Sequence, residues 1–254
     1  MPIGTCKLCL RMGVELQDSH LLPKAGFRRL REDGYAPTVI RDITITKDEQ
    51  IHDYVFCADC EDRLNKNGET WVLRYCFDDE TGFRLGDLVR GLAPIAGDDR
   101  MSAYTVAGIP NIDVQKLTYF GISVFWRAAV HDWKTGRDHL NTPKIADEDR
   151  EAMHLYLMGG TFPPNVVLQV GLLSKPEMLA SFSTPDGGLD QGCLWLRFWY
   201  LGLKFTIGVG DVPADMRRIA FFPSEENLIA MGSVIDDVLT QGATNRMRDS
   251  KEIS

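Results

Sequence analysis

The sequence has no apolar run approaching the roughly 20 residues that a membrane span requires. It also lacks the charged and then apolar start of a signal peptide, because it opens with Met1-Pro2-Ile3-Gly4. These absences predict a protein with neither a membrane span nor a secretory leader.

The composition is otherwise ordinary. With 254 residues, 44% apolar and 25% charged, the chain is long enough for one large domain or two modest ones. The net charge is −8, and it is unevenly spread. Residues 1–75 carry 11 Lys/Arg against 12 Asp/Glu, whereas residues 76–254 carry 17 against 24, so nearly all the excess acid lies in the C-terminal part.

Four of the six cysteines form two pairs, Cys6-x-x-Cys9 and Cys57-x-x-Cys60. Two such pairs suit one tetrahedral Zn²⁺, because each pair can place two thiolates on one side of the ion. Redox chemistry or a disulfide fits less well, since Cys6 lies almost at the N-terminus and no run of strand-forming residues leads into it. The 47 residues between the pairs exceed the usual spacing of about 15 to 20 and predict an insertion between the metal-binding halves. Zinc thiolates together with the remaining Cys76 and Cys193 predict a reducing compartment, the cytoplasm.

The local patterns predict the N-terminal elements. Val14–Leu16 reads as a short strand, and residues 26–32 as a helix that stops at Gly34. The β-branched run 38–46 predicts a strand, which we expect to pair with residues 54–56 just before the second cysteine pair. A helix is predicted from Cys57 to Lys66.

The remainder predicts an α+β domain with an antiparallel sheet. Helices are expected at residues 116–133, 147–158 and 225–241, and strands at residues 165–173, 192–200, 203–210 and 217–222. The aromatic hairpin at 195–205 is predicted to pack under the last helix, with a partner interface as the alternative. We predict a module over residues 1–75, a connector over 76–114 and an α+β domain over 115–254.

Three segments form a pattern: the first Cys-x-x-Cys, the run Ser19-His20-Leu21-Leu22-Pro23-Lys24, and the second Cys-x-x-Cys followed by Glu61. This pattern resembles the HNH endonuclease superfamily in its zinc-bound, treble-clef form. They are also similar to a bacterial branch often found among anti-phage genes, which adds an aromatic Trp-Arg helix, here Trp126-Arg127. The matching pieces span residues 6–69 and about 115–130.

The resemblance implies a structural zinc on Cys6, Cys9, Cys57 and Cys60 and a ββα site that hydrolyses phosphodiesters, with DNA as the expected substrate. His20 would be the general base, and a divalent ion, Mg²⁺ or Mn²⁺, would stabilise the leaving oxygen.

The chain departs from the family where the second ion should bind. It has Ser19 where the family usually places Asp, and Glu61 where Asn or His is common. No Asn occurs between residues 25 and 56 to orient the histidine. Glu61 and Asn65, four residues apart on one helix face, could rebuild the site, with Asp18 or Asp59 contributing. In the alternative interpretation, Glu61 pairs with Lys24 or Arg28, and His20 is only hydrogen-bonded beside the zinc.

A basic run follows His20 and could contact phosphates, although it could equally be a solvated helix face. Its members are Lys24, Arg28, Arg29 and Arg31. Two functional hypotheses remain from different classes: an HNH-type nuclease whose C-terminal domain supplies regulation or assembly with a partner or a second copy, and a zinc-stabilised binding module without catalysis.

Overall fold

A computed structural model describes residues 1–35, 37–41, 44–47, 50–98, 101–135, 138–139, 144–173 and 179–232. Its strands are β1 Ile3–Gly4, β2 Val14–His20, β3 Thr38–Arg41, β4 Thr44–Lys47, β5 His52–Cys57, β6 Phe77–Asp78, β7 Gly82–Phe83, β8 Ala96–Gly97, β9 Met101–Thr105, β10 Lys134–Thr135, β11 Asp138–His139, β12 Val166–Leu172, β13 Ser181–Ser183, β14 Asp186–Asp190, β15 Cys193–Tyr200, β16 Leu203–Gly210 and β17 Leu228–Gly232. Its α-helices are α1 Lys24–Glu32, α2 Ala58–Leu64, α3 Thr70–Tyr75, α4 Arg84–Arg90, α5 Val114–Val130, α6 Asp147–Leu157 and α7 Ala214–Arg218.

The N-terminal part is a small antiparallel sheet with helices beside it. Strands β1, β2 and β5 form the sheet in that order, and α2 begins directly after β5. A π-helical turn, Asn65–Glu69, joins α2 to α3 without a break. Gly68 in this turn lies against the backbone of α5, since a Cβ added there would stand 3.0 Å from the Cα of Phe120. The absence of a side chain at residue 68 therefore allows α5 to lie close to the helices of the N-terminal part.

A ten-stranded sheet forms most of the remaining structure among the described residues. Its order is β4-β3-β13-β15-β16-β12-β17-β9-β8, with β14 beside β15. The long antiparallel pairs β15–β16 and β12–β16 lie at its centre. Strand β3, from the insertion between the cysteine pairs, runs parallel to β13. The structure is thus a mixed α+β fold with antiparallel sheets and a four-cysteine cluster near the N-terminus.

Helix α5 covers one face of the large sheet. Asp113 caps its start by accepting a hydrogen bond from the Lys116 N–H at 3.0 Å, and most of the helix is buried. The Phe120 ring contacts Phe198 and Phe205 of the central hairpin, with centroids 6.1 and 5.3 Å away. The hairpin therefore packs under α5. Of the last helix that was predicted to cover it, residues 228–232 form a strand and residues 233–241 lie outside the described residues.

Several sequence predictions were confirmed and others corrected. The helices predicted at 116–133 and 147–158 occur as α5 and α6, and strands occur within 165–173, 192–200 and 203–210. The run 38–46 contains two strands, β3 and the start of β4, that pair with each other. Strand β3 also pairs with β13, whereas β5 pairs with β2.

Two predictions near the C-terminus were wrong. Residues 217–222, predicted as a strand, contain the end of α7 and a single bridge from Phe222 to Leu168. Residues 228–232, predicted as helix, form β17, which is parallel to β12 and antiparallel to β9. The part of that predicted helix at 233–241 lies outside the described residues. The division into segments 1–75, 76–114 and 115–254 stays a prediction.

Within the described ranges, no helix is long and apolar enough to cross a membrane.

We expect Trp126→Ala to lower the free energy of unfolding by about 3–5 kcal/mol, the usual cost of removing a buried large aromatic side chain. Trp126 is 2% exposed and lies between Phe56 of β5 and His154 of α6, with ring centroids 6.0 and 5.8 Å away. Chemical denaturation followed by circular dichroism measures the change. Leu189→Ala, at a position that is 79% exposed, is the control and should change stability by less than about 0.5 kcal/mol. An unchanged midpoint for Trp126→Ala would contradict the packing described here.

Candidate metal centre and its surroundings

Four thiols converge at the junction of the small sheet and α2. Cys6 and Cys9 lie in the turn between β1 and β2, Cys57 ends β5, and Cys60 lies in the first turn of α2. All four Sγ atoms lie within 4.8 Å of one another, and those of Cys9 and Cys57 are 3.7 Å apart. A tetrahedral ion with Zn–S bonds of about 2.3 Å requires sulfur atoms about 3.8 Å apart. The cluster therefore fits and could hold a metal ion such as zinc.

Hydrogen bonds within the cluster favour the thiolate forms of Cys6 and Cys9. Arg11 donates to Cys9 and Cys57, at 3.3 Å each, and to Asp59 at 2.5 Å. Burial opposes the ionisation of Cys9, but the Arg11 contacts outweigh it and lower the pKa of that thiol. The Cys60 thiol donates to Cys6, which lowers the pKa of Cys6 to about 4 and raises that of Cys60. Arg11 thus offsets the negative charge that metal-binding thiolates carry.

Ser19 and Glu61 meet on the inner face of β2. Ser19 is buried, and its hydroxyl donates to Glu61 Oε1 at 2.5 Å while accepting the Phe56 N–H at 3.1 Å. Burial raises the pKa of Glu61, which Arg127 and Ser19 only partly offset. The carboxylate of Glu61 therefore faces the protein interior, with Ser19 as its hydrogen-bond partner.

Arg127 of α5 contacts residues of the N-terminal part close to Ser19 and Glu61. It forms an ion pair with Glu69, and its Nη1 donates to the carbonyl of His20 at 3.2 Å. Burial alone would lower the pKa of Arg127, but the carboxylates of Glu69 and Glu61 outweigh it and raise that pKa. The Trp133 Nε1–H donates to the Arg127 carbonyl at 2.8 Å. The His20 backbone is thus held by a buried cation that belongs to the C-terminal part of the chain.

We expect Arg127→Ala to destabilise the protein by about 3–5 kcal/mol, because the carboxylate of Glu69 would remain buried without its partner. The side chains of Arg127 and Glu69 are only 3% and 15% exposed. Arg90→Ala is the matched control, since it breaks an exposed pair with Asp87 that should contribute at most about 1 kcal/mol. Urea denaturation of both variants distinguishes them, and equal small losses would contradict a buried network.

The two residues predicted to bind a second cation, Glu61 and Asn65, have different hydrogen-bond partners. Asn65 is exposed, and its side-chain oxygen accepts a hydrogen bond from Thr70 at 2.7 Å. Asp59, a further candidate, pairs with Arg11. Their assignment as ligands of a second cation stays a prediction.

A second group of possible ligands lies on the outer face of β2 and β5. His20 and His52 are directly opposite each other in the strand pair, and their rings stack with centroids 5.2 Å apart. Asp18 Oδ1 lies 2.6 Å from His52 Nδ1. One ligand atom from each of Asp18, His20 and His52 lies within 4.8 Å of the others. From the sequence, His52 is only a possible replacement for a cysteine ligand near the second pair, because its place opposite His20 depends on the pairing of β2 with β5.

The imidazole of His20 has a defined orientation. Its Nδ1 lies 3.2 Å from the backbone carbonyl of Asp18, an oxygen that can only accept, so Nδ1 carries the proton of the neutral ring. Nε2 is then the nitrogen with a free lone pair. Burial lowers the pKa of His20, although the charge of Asp18 opposes this. His20 therefore presents a basic nitrogen at the surface of the module.

The basic run on α1 is divided between two sides of the helix. Arg29 turns inward, where it lies 3.1 Å from Asp78 and donates to the Leu73 carbonyl. Lys24, Arg28 and Arg31 are exposed, and Arg28 lies 3.9 Å from Glu32. Lys24 is close enough to His20 to contribute to the lowering of its pKa. Lys24, Arg28 and Arg31 thus form the outward part of the run.

In comparisons with protein-family models, curated proteins and solved structures, nothing matched this chain.

Proposed function

We propose that the chain is an HNH-like, metal-dependent endonuclease that acts on DNA, with His20 as the general base. The observation that carries the proposal is the contact of His20 Nδ1 with the Asp18 carbonyl, which leaves Nε2 free to accept a proton. In the proposed site, the Asp18 carbonyl orients the His20 ring, the role of the family's loop asparagine. The lack of Asn between residues 25 and 56 therefore does not prevent general-base catalysis.

The N-terminal module is proposed to be a treble clef with a structural zinc ion on its four cysteines. The order of its elements supports this: a cysteine turn between β1 and β2, an insertion, β5, and a helix that starts at the second pair. A closed set of four thiolates leaves no position for water or substrate, so the zinc would be structural. Catalysis would then use groups outside the cluster.

In the proposed reaction, His20 Nε2 takes a proton from a water molecule, and the resulting hydroxide attacks the phosphorus atom. The phosphorus–oxygen bond on the opposite side breaks, and the leaving oxygen takes a proton from solvent. A divalent ion, when bound, stabilises the negative charge on the phosphate and on that oxygen. Lys24 and Arg28, exposed on α1, attract the phosphate backbone.

The second candidate is a zinc-stabilised module that binds nucleic acid or protein without cutting. The Ser19–Glu61 hydrogen bond favours the binding module, because the superfamily keeps cation ligands at these two positions, whereas here the two side chains bond to each other.

The nuclease proposal also includes two expectations that the resemblance implies. They are a role in anti-phage defence in the cytoplasm, and a role of the C-terminal domain in regulation or assembly.

The test is incubation of the zinc-loaded protein with supercoiled plasmid, single-stranded DNA and RNA, each with Mg²⁺, with Mn²⁺ or with EDTA. Nicked or linear plasmid that appears only with a divalent ion supports the nuclease. The double variant Lys24→Ala/Arg28→Ala should weaken cleavage and reduce its salt dependence, because two phosphate contacts are lost. Binding without cleavage under every condition, including with a partner encoded beside it, would leave the binding module as the function.

A further inference from the structure

The outer face of the small sheet contains the groups of a divalent-cation site that the family pattern does not predict. Alternation along β2 directs Asp18 and His20 away from Ser19, so the two faces of one strand separate two polar clusters. On the inner face, Ser19 and Glu61 already bond each other. On the outer face, the side chains of His52 and Asp18 remain 52% and 43% exposed and are open to an ion from solvent.

The chemistry of the outer cluster selects a class of ion. One carboxylate and imidazole nitrogen suit divalent transition metals such as Mn²⁺, Co²⁺ or Ni²⁺ better than Mg²⁺, which prefers oxygen. The atoms Asp18 Oδ1 and His52 Nδ1 are 2.6 Å apart. To share one octahedral ion with bonds of about 2.1 Å they must separate to about 3.0 Å, a small movement for two half-exposed side chains.

We propose that Asp18 and His52 bind one divalent transition-metal ion beside His20, with water or phosphate oxygens completing the coordination. This inference rests on the proposed nuclease and moves its cation from Glu61 and Asn65 to the outer strand face. His20 remains the base, because its Nδ1–H is held by the Asp18 carbonyl and its ring lies next to that of His52, so Nε2 can reach a water close to the ion.

The neighbouring charges agree with this placement. Lys24 lies near His20 and would meet a phosphate that approaches the ion. The competing state is the direct contact between the side chains of Asp18 and His52, which an ion would have to replace. A second His–Asp pair provides a comparison: His131 Nε2 lies 2.9 Å from Asp53 Oδ2, and Asp53 is paired with Ser19 in the strand register, so it lies on the strand face opposite to that of Asp18 and His20.

The test measures Mn²⁺ binding directly, by the loss of the electron paramagnetic resonance signal of free Mn²⁺ on titration with zinc-loaded protein. The wild type should bind one Mn²⁺. Asp18→Asn and His52→Ala should each weaken binding by roughly 10²-fold or more, since even outer-shell changes cost 10- to 100-fold. His131→Ala, the matched histidine control, should bind Mn²⁺ as the wild type does. Zinc content and the far-ultraviolet circular dichroism spectrum check that each variant is folded.

The outcomes separate this site from the proposed function. No bound Mn²⁺ in the wild type, or unchanged binding in both Asp18→Asn and His52→Ala, overturns the site. Loss of Mn²⁺ only in Glu61→Gln would place the ion on the inner face and overturn it as well. If Mn²⁺ binds as expected but no nucleic acid is cut, the site stands and the nuclease fails. If His20→Ala loses Mn²⁺ as well as cleavage, the site stands and His20 is a ligand instead of the base.

Discussion

Removing the metal from the four-cysteine cluster is expected to unfold residues 1–75 and to melt the protein at a much lower temperature. Structural zinc sites supply roughly 10 kcal/mol or more of folding free energy. The four thiols join three separate pieces of chain, the turn after β1, the end of β5 and the start of α2. Without the ion, thiolates that Arg11 only partly neutralises would repel one another. Elemental analysis and thermal unfolding before and after chelation provide the measurement.

Cysteine variants sharpen this prediction. Cys60→Ala should release zinc and unfold the module, whereas Cys193→Ala, which removes a buried thiol from the large sheet, should retain one zinc per chain. Zinc affinity should also fall as pH falls, because protons compete for the thiolates that bind the ion. Protein purified without chelator that contains no zinc, yet melts cooperatively with its four thiols free, would refute the metal centre.

Replacement of His20 by alanine is expected to slow metal-dependent DNA cleavage by roughly 10² to 10⁴-fold, the usual contribution of a general base. Zinc content and melting temperature should change little, because the Arg127 contact is with the His20 carbonyl, which alanine keeps. The stacking contact with His52 would be lost, but it lies on a half-exposed face. Initial rates of plasmid nicking with Mn²⁺, at saturating substrate, measure the effect.

His131→Ala is the control for this experiment, since it removes a histidine that contacts Asp53 and not Asp18, without removing the proposed base. Its cleavage rate should stay within a few-fold of the wild type. A His20→Ala protein that cuts as fast as the wild type would show that another group takes the proton. Loss of zinc or of cooperative melting in His20→Ala would mean that the residue is structural.

Helical periodicity and capping residues predicted the long helices correctly, because the buried side chains of those helices follow the helical spacing of apolar residues. The acids at the start of α6 and Gly159-Gly160 after it mark a helix that the structure confirms. The apolar positions of α5 likewise predicted its buried face. Such signals depend on residues that are close in the chain, so the sequence is sufficient to interpret them.

Short apolar runs were ambiguous because their partners are distant in sequence. Leu228, Ile229 and Met231 fit a helical spacing, but they form β17 between β9 and β12. The helix at Ala214–Arg218 follows Pro213, a residue favoured at a helix start, yet the β-branched and aromatic residues after it suggested a strand. Residues 228–232 form a strand because they pair with residues 101–105 and 170–172, and no pattern of neighbouring residues predicts that pairing.

For the candidate site, the sequence by itself determined the four cysteines, because two pairs of thiols at a spacing of three residues have few other uses. The motif around His20 also made it the candidate base among the histidines.

Only the tertiary structure decided which groups lie beside His20. Strand β3 of the insertion pairs with β13 of the large sheet, and β2 pairs with β5, which places His52 opposite His20 and directs Ser19 inward to Glu61. Because side chains alternate between the two faces of a strand, this single choice of register separates the buried network from the exposed cluster.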